Sequence, residues 1–429
     1  MAAPLPRPAS LQDLGEDIQH MILRRIPCGI DRGCMSLVCR AWRDVMRDQR
    51  RRLGHLLPRL PALPRLLLPA PFSVRCLASG SRVCCVLSAC CVHQDHHYLA
   101  VTPPGSRCFG SHDDGWLFIE THRPRSHKAI HVRTGVVRVF PRELERRTDP
   151  YPYVHRMVIH AAALSVTWPH EPNYVGAAIV TSWQHPPLGG ALAVPPYRRC
   201  IALWRRGWRR AFDPVPLDHY DAALDAEDVL YDRGGRCFFF LTQGEHIRVC
   251  MPVRLRDNKL ITHWETVLFC PGGRVYDQYV RARYLVVSRM DLLMVVRFTP
   301  QPNQPTSKFK VFRVAKRNNM PDAYADAFPV AQYPFAWSEL HALDGRVLFV
   351  GHGCSRSYEA RRYPPDFKDG IYFLDDGEFY DAAVIFGIGN GNQRRYPCSD
   401  NGKWSNGHVQ RCFPRPDPSD HSAPVWILP

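Results

Sequence analysis

Cys84, Cys85, Cys90, Cys91, His93, His96 and His97 crowd into one short stretch, and thiolates and imidazoles are side chains that ligate zinc. Zinc needs them to converge on a tetrahedron. Adjacent cysteines in an extended segment point to opposite faces, and no C-x-x-C pair is present to clamp an ion. The stretch therefore reads as a core strand, Val83 to Leu87, followed by a polar histidine turn, with no metal. The carboxylate pairs Asp113-Asp114 and Asp375-Asp376 would suit acid/base work, but they stand beside glycines or at hairpin ends, where aspartate caps turns. Gly353-Cys354-Ser355-Arg356-Ser357 lacks the closing glycine and the strand-to-helix setting of a nucleophile elbow, so it reads as a loop between strands. Gly387-Ile388-Gly389-Asn390-Gly391 follows an apolar run with no helix after it, and a turn is expected rather than a phosphate cradle. The expectation is a non-enzyme with no catalytic residue, cofactor or metal.

Charge raises a different possibility. The net charge is +16, with clusters at Arg50-Arg51-Arg52, Trp204 to Arg210 and Arg394-Arg395-Tyr396. Arginines beside aromatics can hold nucleic acid, which makes a basic nucleic-acid-binding or scaffold protein the alternative reading. These arginines are spread along the whole chain and interleaved with acids, however, so a solvated surface or an acidic protein partner explains them as well. The 16 cysteines are scattered, with no signal peptide, and several lie inside apolar runs; free thiols in a reducing compartment are expected. The N-terminus has no apolar leader and no run approaches a membrane span, so the expected location is the cytoplasm and/or nucleus, with no membrane contact.

What must position these residues is mostly strand. From Phe72 onward, short apolar runs alternate with turn signals: residues 129–132 and 136–140 across Gly135, 229–231 and 237–241 across Gly234-Gly235, 285–287 and 292–296 across Arg289-Met290-Asp291. His341-Ala342-Leu343 and Val347 to Val350 flank Asp344-Gly345, the strongest two-residue hairpin signal in the chain. About twenty such strands in one open sheet would leave sticky edges, so closure as a kelch-like β-propeller of about five to seven four-stranded blades is expected. The glycine pairs at 189–190, 234–235 and 272–273 are irregularly spaced, and two β-sandwiches are the structural alternative.

The N-terminus is written differently. Asp13 and Glu16 have capping-box spacing, and Leu14, Ile18, Met21, Ile22 and Ile26 make one helical stripe that Pro27 stops. Asp31 is the next cap, and Met35, Val38, Cys39, Trp42, Val45 and Met46 continue the period across a bend near Cys39 or Arg40. So small a module must pack on the rest of the chain or on a partner. Between it and the strands, residues 53–71 are leucine-rich and broken by Pro58, Pro61, Pro64, Pro69 and Pro71, a linker that packs rather than floats.

Leu11, Leu14, Glu16-Asp17-Ile18, Ile22, Ile26-Pro27 and Leu37-Val38-Cys39-Arg40-Ala41-Trp42-Arg43 resemble an F-box, the module that joins a substrate receptor to the Skp-type adaptor of a cullin-RING ubiquitin ligase. The resemblance implies adaptor-binding roles for Leu11, Leu14, Ile18, Ile22, Ile26, Pro27, Leu37, Val38 and Trp42. It departs at Leu14-Gly15, where the family has Leu-Pro; without proline's preset first turn, more fraying and a looser adaptor grip are expected. Further on, Leu63 to Pro69, Phe109-Gly110-Ser111, Asp114-Gly115-Trp116-Leu117, Cys354-Ser355-Arg356-Ser357, Gly370 to Asp376, Tyr396 to Gly402 and the terminal Pro424 to Pro429 resemble plant F-box proteins carrying a KIB-type β-propeller. The implied organisation is an F-box at 10–52, a linker at 53–71 and a propeller at 72–429. The implied function is substrate reception for an SCF-type ligase, with a cullin reached through the adaptor and a protein substrate that the resemblance does not name.

Overall fold

The computed structural model describes residues 14–25, 29–53, 63–69, 82–86, 103, 105–122, 125–146, 153–165, 174–183, 199–214, 225–256, 259–272, 274–317, 326–363, 367–376, 396–413, 417–419 and 421–429. Three helices come first, α1 (Glu16–Arg25), α2 (Gly29–Val38) and α3 (Arg40–Leu53), and Cys39 is the break between the last two. Asp13 lies outside the described residues; the first helical carbonyl is that of Gly15, which accepts from the N–H groups of both Ile18 and Gln19 at 3.0 and 3.1 Å. Asp31 falls inside α2 instead of capping it.

Five blades of four or five strands follow, in chain order, and a smaller sheet joins the last to the first. Blade 1 is an antiparallel meander of Arg107–His112, Trp116–His122, Arg125–His131 and Val137–Val139. In blade 2, Glu143–Arg146, Tyr153–Leu164, Val175–Trp183 and Arg199–Arg205 are followed by Arg210–Asp213, which returns parallel to the first strand and closes the pairing on itself. Blade 3 is Ala226–Asp232, Cys237–Thr242, Ile247–Arg256 and Lys259–Val267. Blade 4 is built on Tyr279–Ser288, Asp291–Thr299, Lys308–Lys316 and Phe335–Leu340, with Phe269–Cys270 laid parallel on its outer edge. Blade 5 orders Arg356–Glu359, Arg346–Phe349, Gly370–Phe373, Gly402–Ser405 and His408–Gln410. The closing sheet has Arg65–Leu68 at its centre, flanked by Arg82–Cys85 and Val425–Ile427.

Each sheet shares a core with the next, and the series returns to its start. Trp116 and Phe118 of blade 1 meet Met157, Ala178 and Trp204 of blade 2; Ile179 and Leu203 meet Val229 and Phe238 of blade 3; Leu241 and Ile247 meet Met294 and Phe298 of blade 4; Val286 and Val295 meet Leu348 and Ile371 of blade 5. Phe349 and Tyr372 then pack on Leu66 and Trp426, and Leu67 and Val425 pack back on Leu117 and Ile130. Period-2 alternation supplies both faces of every sheet, so no two-layer sandwich is needed.

Two sequence expectations change here. Residues 65–68 belong to the propeller, not to a linker: four residues between Pro64 and Pro69 are long enough for a central strand, and the prolines end the ladder on both sides. Asp344-Gly345 makes a turn, with φ of 50° and 77°, yet it joins blades instead of making a hairpin. The strand before it, Phe335–Leu340, already has Lys308–Lys316 on one edge and Phe269–Cys270 on the other, so no edge is left for Arg346–Phe349. The hairpins expected around Gly135, Gly234-Gly235 and Arg289 form as read.

Close approach fixes one glycine in particular. A Cβ at Gly176 would stand 2.2 Å from Cε2 of Trp204, whose indole fills the seam between blades 1 and 2 beside Phe140.

Candidate functional site

The helical module keeps a core of its own. Leu23, Trp42, Val45 and Met46 are buried together, with Leu14, Ile22, Met35 and Cys39 packed against them. Gln19 is buried beside them and donates from Nε2 to the Leu14 carbonyl at 2.9 Å, which holds the entry to α1. His20 Nε2 of α1 sits 3.5 Å from Glu16 and 3.7 Å from Asp48 of α3. What this core leaves outside is apolar: Ile18 and Met21 on α1, and Leu37 and Val38 at the end of α2, are 44, 57, 76 and 64 % exposed. Of the residues singled out from sequence, Trp42, Leu14 and Ile22 thus serve the core, Ile18, Leu37 and Val38 lie on the surface, and Leu11, Ile26 and Pro27 fall outside the described residues.

Polar residues concentrate where blades meet. Arg297 of blade 4 is fully buried and donates through Nε to Thr306 Oγ1 at 2.6 Å, through Nη1 to the Leu374 carbonyl at 2.5 Å and Tyr284 Oη at 3.2 Å, and through Nη2 to Asp400 Oδ2 at 2.7 Å. Asp376 lies 3.5 Å from the same guanidinium and accepts from Tyr284 Oη at 2.9 Å. Asp375 accepts from the N–H groups of Ser399 and Asp400 at 2.9 and 3.0 Å. Burial raises the carboxyls of Asp375 and Asp376, against the pull of Arg297. Burial also works to raise Asp400, but Arg297, the Thr306 hydroxyl and Arg411 outweigh it and its carboxyl is lowered.

The Asp375-Asp376 pair is therefore not a turn cap. It anchors blade 5 to blade 4, together with the 398–401 segment.

Comparable clamps hold other seams. Arg107 of blade 1 bonds Glu120 Oε2 at 2.7 Å and the Ile159 carbonyl of blade 2 at 2.5 Å. Glu245 of blade 3 takes Arg274, Tyr276 and Arg283 of the blade 4 segment at 2.7, 2.6 and 3.1 Å. Asp228 of blade 3 accepts from the N–H groups of Leu285 and Gly353, both at 2.7 Å, tying blades 3, 4 and 5. A Cβ at Gly353 would stand 2.7 Å from the Ala162 carbonyl oxygen, and its φ is +71°, so glycine is needed for this approach to blade 2. In these clusters arginines, carboxylates and backbone groups bond across blade boundaries. A cavity of about 60 Å3 lies among them, lined by Arg107, His160, His352, Asp376 and Tyr396, room for water and little else.

A larger recess opens to solvent. Its volume is about 360 Å3, and residues of all five blades line it, including Asp113 of blade 1, Leu164 of blade 2, Tyr231 and Arg233 of blade 3, Val287 of blade 4 and Arg356 of blade 5. Hairpin tips and loops build this mouth. Asp113 sits in the turn after Arg107–His112 and Arg233 in the turn after Ala226–Asp232, while Arg356 opens the strand Arg356–Glu359, so of the loop read at 353–357 only 353–355 joins strands and Arg356 and Ser357 are strand.

The aromatic residues of the arginine-aromatic clusters are packed to different degrees. Trp204 is 1 % exposed, Trp208 packs on Phe212, and Arg210 pairs with Glu143 at 3.1 Å. Tyr396 is buried, while Arg394 and Arg395 lie outside the described residues. Cys84 and Cys85 face opposite sides of their strand, one buried and one half-buried; Cys90, Cys91, His93, His96, His97 and the glycine run 387–391 are outside the described residues. Every described cysteine is a free thiol, and burial raises those of Cys108, Cys237 and Cys398 to about 11, 11 and 12. No described helix is long and apolar enough to cross a membrane.

Comparison with known proteins bears on the blades. The family model of the KIB1-4 beta-propeller matches residues 88–396, from before the first strand of blade 1 into blade 5, and leaves outside it the strands of the closing sheet. No curated protein matches the chain.

Proposed function

The chain belongs to the KIB1-4 β-propeller family, and from that premise we propose that it is the non-catalytic substrate receptor of an SCF-type ubiquitin ligase. In this reading the N-terminal module is an F-box that grips a Skp-type adaptor, and the propeller presents a protein substrate to the ubiquitin-charged enzyme. The observation that carries it is that, among the described residues, Ile18, Met21, Leu37 and Val38 stay exposed outside the core the module has already filled. Burying one such side chain against a partner is worth about 1.5–3 kcal/mol, so these four could supply most of an adaptor grip. Their positions on α1 and at the end of α2 fall within the stretch that resembles the F-box.

Capture of a purified Skp-type adaptor tests the reading. Leu37→Ala with Val38→Ala should weaken capture at least tenfold, since ~1.4 kcal/mol gives that factor. Arg47→Gln, an exposed charge change on α3, should alter mainly the salt dependence. If the double variant, or a chain lacking residues 1–52, captures the adaptor as well as the intact protein, the ligase reading is wrong.

A further inference from the structure

Seven of the 56 basic side chains are lysines, and the rest are arginines. The difference is chemical: a lysine can shed its proton and attack through nitrogen, whereas a guanidinium stays charged. None of the seven precedes Lys128 and none lies between Lys128 and Lys259, so α1, α2, α3 and the whole of blade 2 hold no side-chain amine. Most of the others are paired or half-buried. Lys128 is half-buried within its strand; Lys308 stands 3.7 Å from Asp277, and Lys310 3.0 Å from Glu339. Lys403 is half-buried, donates to the Lys368 carbonyl at 2.9 Å and lies over the ring of Tyr372. The side chain of Lys259 is outside the described residues. Among the described lysines, Lys316 and Lys368 are the exposed ones. Strand register puts both at one end of the ring. Arg313 is paired with Leu293, so Lys316 reaches the level of the Arg289-Met290 turn. Arg289 donates to the Asp344 carbonyl at 2.8 Å, and the next residue, Gly345, donates to Asp369, the neighbour of Lys368, at 3.3 Å. Val287 of the same hairpin lines the open recess.

We propose that Lys316 and Lys368 are the main sites at which this chain itself accepts ubiquitin, and that its N-terminal module and blade 2 are closed to lysine modification. The proposal rests on the receptor reading, in which a ubiquitin-charged enzyme is brought to the end where substrate enters. A receptor held beside that enzyme is itself open to transfer. The neutral Nζ attacks the thioester carbonyl at the ubiquitin C-terminus; a C–N bond forms as the C–S bond breaks, and the departing thiolate takes up the proton that the amine sheds. Arginine offers no such nitrogen. The adaptor-binding surface therefore stays unmodified on lysine, while the receptor's own mark is confined to blade 4 and the segment that leads into the Gly370–Phe373 strand of blade 5.

The test combines the full chain with a purified Skp-type adaptor, a cullin-RING core, ubiquitin and its activating and conjugating enzymes, and maps diglycine remnants by mass spectrometry after trypsin. Most remnants should fall on Lys316 and Lys368. Lys316→Arg with Lys368→Arg keeps both charges and should lower self-conjugation at least fivefold, while Lys308→Arg with Lys310→Arg should change it less than twofold. A ligase-free measurement runs beside it: brief acetylation of the free chain with N-hydroxysuccinimidyl acetate should mark Lys316 and Lys368 ahead of Lys310 and Lys403. Adaptor capture is measured on the same preparations. Acetylation of Lys310 or Lys403 first, capture without self-conjugation, or equal effects of the two double variants would overturn the acceptor assignment and leave the ligase reading standing. Failure of the intact chain to capture the adaptor would overturn the ligase reading, and the assignment with it.

Discussion

Replacing Arg297 should do more damage than replacing any exposed arginine, and the size of the effect follows from its partners. The guanidinium is wholly buried and reaches Thr306, Tyr284, Leu374 and Asp400 at once, with Asp376 at 3.5 Å. Methionine matches much of its length but none of its donors. Arg297→Met would orphan the Leu374 carbonyl and take the counter-charge from Asp376, although Asp400 keeps Arg411 at 2.7 Å and both Thr306 donors. Breaking a buried pair on one side costs about 3–5 kcal/mol. Because Asp400 keeps other partners, the lower half of that range, about 3–4 kcal/mol, is expected. Lysine restores the charge with a single point of contact and cannot span acceptors on opposite sides, so Arg297→Lys should recover only part of the loss. In an equilibrium urea titration of the full chain, a slope of about 3 kcal/mol per molar makes the Arg297→Met loss a drop of about 1 M in midpoint. Asp400→Asn should itself destabilise, and the double variant should cost less than the sum by about 0.5–3 kcal/mol, since the two residues share one interaction. A midpoint within about 0.3 M of the parent at unchanged slope, or additive losses in the cycle, would show that Arg297 does not clamp the blades.

Further outcomes follow from other packed groups. Burial, aided by Arg199 and Arg297, lowers His352 to about 3, and burial likewise holds His160 well below its usual range. Both are neutral when folded and charge on unfolding, so the stability they contribute is full above about pH 6.5 and is lost as pH falls toward 3, at up to ~1.4 kcal/mol per pH unit for each. The raised carboxyls of Asp228, Asp375 and Asp376 act in the opposite direction, so the test is a comparison: between pH 7 and pH 5 the urea midpoint of His352→Gln should fall less, or rise more, than that of the parent, and an equal change in both would contradict the assignment. Gly176→Ala forces a Cβ into the Trp204 ring and should cost about 1–3 kcal/mol, seen as a lower midpoint and a shifted tryptophan emission. Trp426→Ala removes a fully buried indole that bonds the Val350 carbonyl at 2.8 Å, costs about 3–5 kcal/mol, and should expose the closing sheet to limited proteolysis before any blade is cut.

Much of this fold could be read locally, and the limits of the reading are physical. Hairpins such as 229–241 and 285–296 announce themselves because the turn and both paired runs are contiguous in sequence. Asp344-Gly345 carried an equally strong turn signal and was misleading, since the turn chemistry specifies a reversal but not whether the strand before it has an edge to spare. The helical module was legible in its period and in the bend at Cys39, but the period could not divide Trp42, which goes inside, from Leu37 and Val38, which do not. The Asp375-Asp376 pair looked like turn residues because the guanidinium that claims it stands almost eighty positions earlier, inside the apolar run around Val296. The mouth assembled by Asp113, Arg233 and Arg356 has no sequence signature at all; only the closure of the ring brings tips of separate blades together.

The closing sheet also sets an order of events in the cell. Its central strand, Arg65–Leu68, is made long before its partner Val425–Ile427. At about 5–20 residues per second, the ~360 residues between them take roughly 20–70 s to synthesise. During that time the module at 16–53 has left the ribosome and can fold, while the ring it is to serve stays open. A chain interrupted before Val425 would thus carry its N-terminal module on a body with unpaired strand edges, and the two ends of the propeller can meet only once Val425–Ile427 has been made and has cleared the ribosome.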